Sequence, residues 1–574
     1  MKESLSYLKL KFSNLLEDAT LALPWLHWSL HFLKNHSNLF YQRDIYRDYS
    51  ETKNRYRFLT ETSYRKNKKV LIVSLTHFLY QIKLEAMLAK ALQLRGCEIN
   101  VLTWRHCLWP QRYFRLFGID RFVFFEDYLR KVNNININDV IKSVVKGGLS
   151  FQEVKKWKFR GCRIGQQVLS TLARKMYGTP DITSSEVYPI FIQWVKKEIK
   201  AIYACEILLD QLNPDILIFN EANGSIYGAI FDQAFNRGKD VIQFVQPFRD
   251  DALIFKRFDK ESKGLHPNSV SKSTFEKIIK PMGWSENCER LLKDEFLARY
   301  GNRWFLSQRN QLGKTTKPKE EIINQLGLDK KKKIAVIFSH ILWDANLFYG
   351  EDLFQDYEEW FIETVKTACR NPRVNWIVKL HPANIWKLPR EGVKNSLLRE
   401  EKLIKEKIGK LPSHIYLLYP TTDINTFSLF NLADYGITVR GTVGMELPCF
   451  GKPTLTAGTG RYSGFGFTID HTTKEEYLEN LHNIEKIPPL SSYQTLLAKK
   501  HAYAVFCLRP WEMKSFRAKF RYKLEKAHPL DHNLIPAVSS IDELKNSSDL
   551  AKFSEWVLYS DLCDYIEKDK LCAV

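Results

Sequence analysis

Asn375-Trp376-Ile377-Val378-Lys379-Leu380-His381-Pro382-Ala383-Asn384 is an apolar, strand-like run that stops on a histidine and a proline. A short β-rich run giving way at its C-terminal end to polar residues is what a parallel sheet covered by helices produces. The pattern recurs at Asp434 to Val439, which runs into Arg440-Gly441-Thr442-Val443-Gly444-Met445-Glu446. Outward from these two, strand signals stand at Lys333 to Ser339, His414 to Tyr419 and Pro453 to Thr456, with helical periods such as Glu351 to Arg370 between them. Together they predict one doubly wound unit.

Upstream, Lys69 to Leu75, Glu98 to Thr103, Arg121 to Glu126, Asp215 to Asn220 and Asp240 to Gln246 repeat the same alternation. The fold class expected is therefore α/β, with two doubly wound Rossmann-type domains, a helical N-terminal leader and a helical C-terminal tail. The expected boundaries are a basic leader at 1–66 and a first domain at 67–306 with a helical insertion at about 128–212. A linker at 307–332, a second domain at 333–490 and a tail at 491–574 complete the chain. Ser307 to Glu321 marks the linker because its lysines and Pro318 interrupt any apolar period. The insertion either shapes an acceptor site or packs on the first domain.

Composition narrows the partners. A hydrophobic fraction of 44% over 574 residues supplies two cores and argues against extended disorder. The net charge of +21 favours anionic partners. Zinc-finger spacing and aromatic-basic RNA-binding motifs are both missing, so nucleic acid is not expected, and anionic lipid and anionic sugar donors remain. Ten cysteines stand singly with no C-x-x-C pair, which reads as reduced thiols without a metal site. Met1-Lys2-Glu3-Ser4 opens no secretory signal, and Leu21 to Leu33 is too short and too interrupted to span a bilayer. A cytoplasmic protein is expected, its leader packed on itself or lying peripherally on an anionic membrane face.

The loops after the strands carry the candidate chemistry. His381, aimed by Pro382, can donate to a phosphate or a leaving oxygen, although a lone turn histidine is more often a satisfied ring. Gly441 and Gly444 admit close backbone approach, Thr442 is a natural N-cap, and the helix start at Val443 offers N–H groups to an anion. Glu446 lies one turn on, where a carboxylate can accept from ribose hydroxyls. Pro448 shortens or kinks that helix. A carboxylate must also deprotonate an acceptor hydroxyl or attack the anomeric carbon. Glu221, directly after a strand, is preferred, and Asp250 and Asp251 are the alternatives. No D-x-D follows a strand, so no metal clamp is expected.

The "HP" of His381-Pro382, the segment from Gly441 to Leu455 (GTVGMELPCFGKPTL) and the "QP" of Gln246-Pro247 together resemble the bacterial capsule polysaccharide biosynthesis proteins. That group includes the Kdo transferases, and the bacterial sialyltransferases are more distantly similar. The resemblance spans roughly Val241 to Thr468. It implies a GT-B-like glycosyltransferase with no cofactor, using a nucleotide-sugar co-substrate, plausibly Kdo or another acidic sugar linked to CMP, and a surface glycan or glycolipid acceptor. It further implies donor contacts from Ser339, His340, His381, Pro382, Asn384, Arg440, Gly441, Thr442, Val443 and Glu446, with Gln246 and Pro247 on the acceptor side. The alternatives are a UDP-sugar transferase, a CDP-glycerol-type polymerase, and a non-catalytic nucleotide- or glycan-binding component of an export complex.

Overall fold

The computed structural model describes residues 39–571 apart from 62–67, 134, 146–148, 302, 309, 312, 344–346, 385–386, 388–397 and 522–527. The expected leader stretch Leu21 to Leu33 lies outside these residues. Among the described residues no helix is long and apolar enough to cross a membrane.

The chain forms two compact units. One takes the residues up to Leu172, Pro180–Val245 and Glu512–Asp561, and the other takes Ala173–Thr179, Gln246–Trp511 and Leu562 onward. The change of unit thus falls at Val245 and Gln246 rather than in the expected linker at 307–332. The cause is apolar packing. Val270, Phe275, Ile279, Met282, Leu292 and Phe296 share one buried cluster with Met445, Tyr462, Phe467, Leu497 and Phe506.

In the first unit, strands Lys69–Val73 (β1), Glu98–Thr103 (β2), Phe122–Phe124 (β3), Ile216–Phe219 (β4) and Asp240–Val245 (β5) run in the order β5-β4-β1-β2-β3. All four pairings are parallel. The insertion is helical as expected, and its longest helix is Tyr188–Leu212. The tail returns here as helix Ser548–Tyr559, but also as an antiparallel hairpin, Phe516–Phe520 against His532–Pro536. The hairpin departs from the helical tail expected here, and the alternation of apolar and charged residues through Phe516–Phe520 is the strand signal for it.

The second unit opens with Ala252–Arg257 (β6). Ile334–Phe338 (β7), Asn375–Lys379 (β8), Ile415–Leu418 (β9), Tyr435–Thr438 (β10), Thr454–Thr456 (β11) and Ile469–Asp470 (β12) then form a six-stranded sheet ordered β12-β11-β10-β7-β8-β9. Its pairings are all parallel. β7 and β8 are buried along their whole length, the signature of a sheet covered on both faces. Each unit is therefore a Rossmann-type, doubly wound sheet, the class expected. The strand order reverses at β7/β10, so the crevice beyond their C-terminal ends is where a ligand belongs.

Among the described residues eight cysteines are free thiols, whereas Cys288 is disulfide-bonded. Scattered spacing could not foretell this, because pairing depends on proximity in the folded chain.

The last segment is tied into the second unit by charge. Asp564 pairs with Lys256 at 2.8 Å and with Arg509 at 3.1 Å, and all three side chains are fully buried. Arg509 also donates to the carbonyls of Phe255 and Ser269. Burial alone would raise the Asp564 carboxyl, but the charges of Arg509 and Lys256 hold it down at about 2. Removing one member leaves buried charge uncompensated, so Asp564→Asn is expected to cost about 3–5 kcal/mol at neutral pH. A carboxyl with a lowered native value stabilises above its unfolded value and loses that contribution as pH falls through about 2. Urea unfolding at a series of pH values should show the wild-type advantage over the Asn variant shrinking below pH ~4.

Candidate functional site

Beyond the ends of β7 and β10, the second unit forms an open cavity of about 410 Å³. Ser339 and His340 follow β7, and Arg440, Gly441, Thr442 and Val443 come just after β10. All six line it, as do His381 and Pro382 beyond β8 and Gln246 and Pro247. His381 and the backbone around Thr442 thus face a single space. Gln246 and Pro247, expected on an acceptor side, share the wall with the residues expected to hold the donor, and the Gln246 amide donates to the carbonyls of Arg249 and Ala252.

Two expected members are not among the lining residues. Glu446 is fully buried, its carboxylate paired with Arg299 and accepting from the Tyr300 hydroxyl at 2.9 Å. A carboxylate bound this way serves the core and is not offered to the ribose hydroxyls expected to donate to it. Asn384 donates to both Glu400 oxygens, at 3.0 and 3.2 Å, and Ser339 shares that carboxylate at 3.1 Å.

The segment after β10 also differs from its expected cap. Thr442 has helical angles (φ −59°, ψ −27°) and no side-chain cap bond, and the helix is the single turn Val443–Glu446. Pro448 then takes the chain into a 3-10 turn, Leu447–Phe450. Gly444 makes room for protein rather than ligand, since a Cβ there would lie 2.0 Å from the Tyr462 hydroxyl.

The two histidines are fixed by backbone donors. Val439 N–H donates to Nε2 of His340 at 3.2 Å, which leaves the hydrogen on Nδ1. His340 stacks on Tyr357 with ring centroids 4.6 Å apart. Burial, with the positive charges of Arg440 and Arg461 nearby, holds it well below the ordinary histidine range, so it is a neutral N–H donor. In His381, Nδ1 accepts from Ala383 N–H at 3.2 Å, which assigns the hydrogen of the neutral ring to Nε2.

The electrostatics are one-sided. Arg299, Lys379, Arg440 and Arg461 line the cavity, and none of its described lining residues is Asp or Glu. Arg299 and Arg440 are neutralised from behind by Glu446 and Asp352. Lys379 and Arg461 have no carboxylate partner among the described residues, and Arg461 Nε is buried without a hydrogen bond. Burial, then the nearby charge of Lys314, push Lys379 down to about 7. Such a pair is costly until an anion arrives.

Arg461 is placed by backbone contact between two loops. Thr459 N–H donates to Glu351 C=O at 2.8 Å, and Asp352 bridges to Gly458. Gly350 and Gly458 have φ of +139° and +151°, and a Cβ on either would meet the opposite backbone at 2.2–2.4 Å. Lys379 and Arg461 were both missed from the sequence. For Arg461 a signal existed: Gly458-Thr459-Gly460-Arg461 follows β11 just as the recognised loops follow β8 and β10. Lys379 ends a strand, where a lysine ordinarily reads as solvated.

None of the proposed catalytic carboxylates is among the lining residues. Glu221 is in the first unit and accepts from the N–H groups of Ala222 and Asn223, both at 3.0 Å. Asp250 accepts from Phe305 N–H at 2.7 Å, and Asp251 pairs with Arg249 at 2.9 Å.

The described residues thus form two Rossmann-type units, the second with a cationic cavity at its switch point whose described lining holds no carboxylate. Residues 297–500 match the model of the family described as capsule polysaccharide biosynthesis protein, so the resemblance drawn from the motifs is met over that segment. No curated protein matches the sequence. Among solved structures, Thermosulfurimonas dismutans KpsC, beta Kdo 2,4 transferase, is similar at 14% identity and a TM-score of 0.31, covering 51% of this chain and 80% of its own. UDP-GlcNAc 2-epimerase from Neisseria meningitidis, bound to UDP-GlcNAc, is similar at 12% identity and 0.26, with 76% and 96% covered. Anabaena Alr3699/HepE in complex with UDP-glucose gives 12% and 0.26, with 76% and 94% covered.

Charge-assisted contacts are worth about 1.5–3 kcal/mol each, so Arg461→Met or Lys379→Met should weaken nucleotide binding roughly 10- to 100-fold. The same substitutions remove uncompensated buried charge, so the melting temperature of the unliganded protein should rise, which calorimetry with and without nucleotide would show. The lowered Lys379 value adds a pH signature. Above pH of about 7 the free protein has lost that charge, and anion binding must take a proton back. Affinity for a phosphodiester of constant charge should therefore fall as pH rises from ~7 to ~9, by up to about tenfold per unit, and Lys379→Met should flatten the titration.

Proposed function

We propose that this chain is a glycosyltransferase of capsule polysaccharide biosynthesis that holds its sugar donor in the second-unit cavity. The observation that carries the reading is the cationic wall, where Lys379 and Arg461 have no carboxylate partner among the described residues. The matched family segment contains that wall from Arg299 to Arg461. A CMP-linked acidic sugar such as Kdo fits the charge, because its phosphodiester and sugar carboxylate supply two negative charges for these two cations. His340 and His381 would donate to the leaving phosphate, and the cations would stabilise the charge that develops there. Among the described lining residues none is a carboxylate that could clamp a divalent ion, and a metal-independent departure of the monophosphate is proposed. Glu221 is proposed as the base that takes the acceptor proton, with Asp250 or Asp251 as the alternatives. The acceptor is proposed to be a surface glycan or glycolipid, reached from the cytoplasmic face of an anionic membrane that the basic surface would favour.

A donor panel with purified protein tests this. Transfer from CMP-Kdo or another CMP-linked acidic sugar is expected, and turnover with UDP-sugars alone would remove the acidic-sugar reading. Thermal shift with CMP, CDP and UDP tests the cavity separately, since failure of every nucleotide to stabilise the chain would leave a non-catalytic role. His381→Ala should abolish transfer with the fold intact. Glu221→Gln should keep nucleotide affinity while turnover drops by about 100-fold or more, and full turnover would move the base to Asp250 or Asp251.

A further inference from the structure

In the first unit, β1, β2 and β3 lie side by side and parallel, so the residues following them crowd one edge of the sheet. His77 follows β1, His106 and Cys107 follow β2, and Glu126 follows β3. One ligand atom from each of His77, His106 and Cys107 lies within 4.8 Å of the other two. Cys107 Sγ is 3.4 Å from His77 Nε2. A tetrahedral zinc ion, with bonds of about 2.0–2.1 Å to nitrogen and about 2.3 Å to sulfur, needs ligand atoms roughly 3.5 Å apart, so a small closure seats it.

The surroundings have the form of a supported metal site. Glu126 Oε1 is 3.2 Å from His106 Nδ1 and is itself held by Arg105 N–H at 2.9 Å. A carboxylate on Nδ1 leaves Nε2 with its lone pair, the orienting arrangement found behind metal-bound histidines. Trp104 stacks on the His106 ring at 5.9 Å and 27°. Cys107 is buried and His77 exposed, so the cluster has a closed floor and an open side.

We propose that His77, His106 and Cys107 form a zinc site, with Glu126 as the positioning residue behind His106 and the fourth coordination place open to solvent. Two imidazoles and a thiolate suit zinc and exclude magnesium or calcium, which prefer oxygen. Neighbouring strand ends build the site, so no Cys/His spacing in the sequence announces it.

The test is titration of metal-free full-length protein with cobalt(II), followed by zinc competition and metal analysis after dialysis. One ion per chain is expected, with a thiolate-to-cobalt charge-transfer band and the intense visible bands of a tetrahedral ion, both displaced by zinc. Cys107→Ser should abolish the charge-transfer band. His77→Ala, at an exposed position, should weaken binding by about tenfold or more with an unchanged melting curve. Glu126→Gln should keep the band and lower affinity about 10- to 100-fold. A wild-type protein without the thiolate band, or one whose band survives in both Cys107→Ser and His77→Ala, overturns the assignment.

Discussion

The buried pair between Arg299 and Glu446 is the contact on which the second unit's site depends. Its guanidinium lies over the rings of Phe248 and Phe506, at 4.1 and 4.3 Å, and its carboxylate closes the short turn after β10. One ion pair thus gathers the segment after Gln246-Pro247, the helix Glu286–Tyr300, the β10 loop and the helical region near Phe506. Breaking a pair buried this deeply costs about 3–5 kcal/mol, because the remaining charge has no solvent to turn to. The cavity wall inherits its shape from that constraint.

Behind the wall, charge is balanced selectively. Arg299 and Arg440 are neutralised by acidic residues outside the lining, which lets them act as rigid framework. Lys379 and Arg461 face the cavity without a carboxylate partner among the described residues. The result is an unstable arrangement in the free protein that an anion relieves, a local sacrifice of stability typical of binding sites. Neutral His340, held by Val439 N–H, adds a directional donor that does not lose strength to competing protonation.

Much of this architecture was readable in advance. Each strand from β1 to β5 and from β7 to β11 was anticipated to within a few residues, because a strand buried on both faces must be a short continuous apolar run. The loops after β7, β8 and β10 were likewise singled out, since polar residues directly after such runs mark the ligand edge. Charged residues were harder. Glu446 and Lys379 are both buried, but Glu446 has a cation from 147 positions earlier and Lys379 has no counter-charge among the described residues, and nothing local distinguishes the two cases.

The sequence by itself determined the two doubly wound sheets and the strand ends at which a ligand would be held, because burial periodicity and strand termination are local properties of the chain. The tertiary structure alone decided which polar groups at those ends remain available. It closed Glu446 onto Arg299 and Asn384 onto Glu400, filled the space at Gly444 with Tyr462, and brought Arg461 beside His340 and Arg440. Hydrogen bonds and ion pairs are satisfied by whatever folding brings near, and that proximity has no fixed relation to separation along the chain.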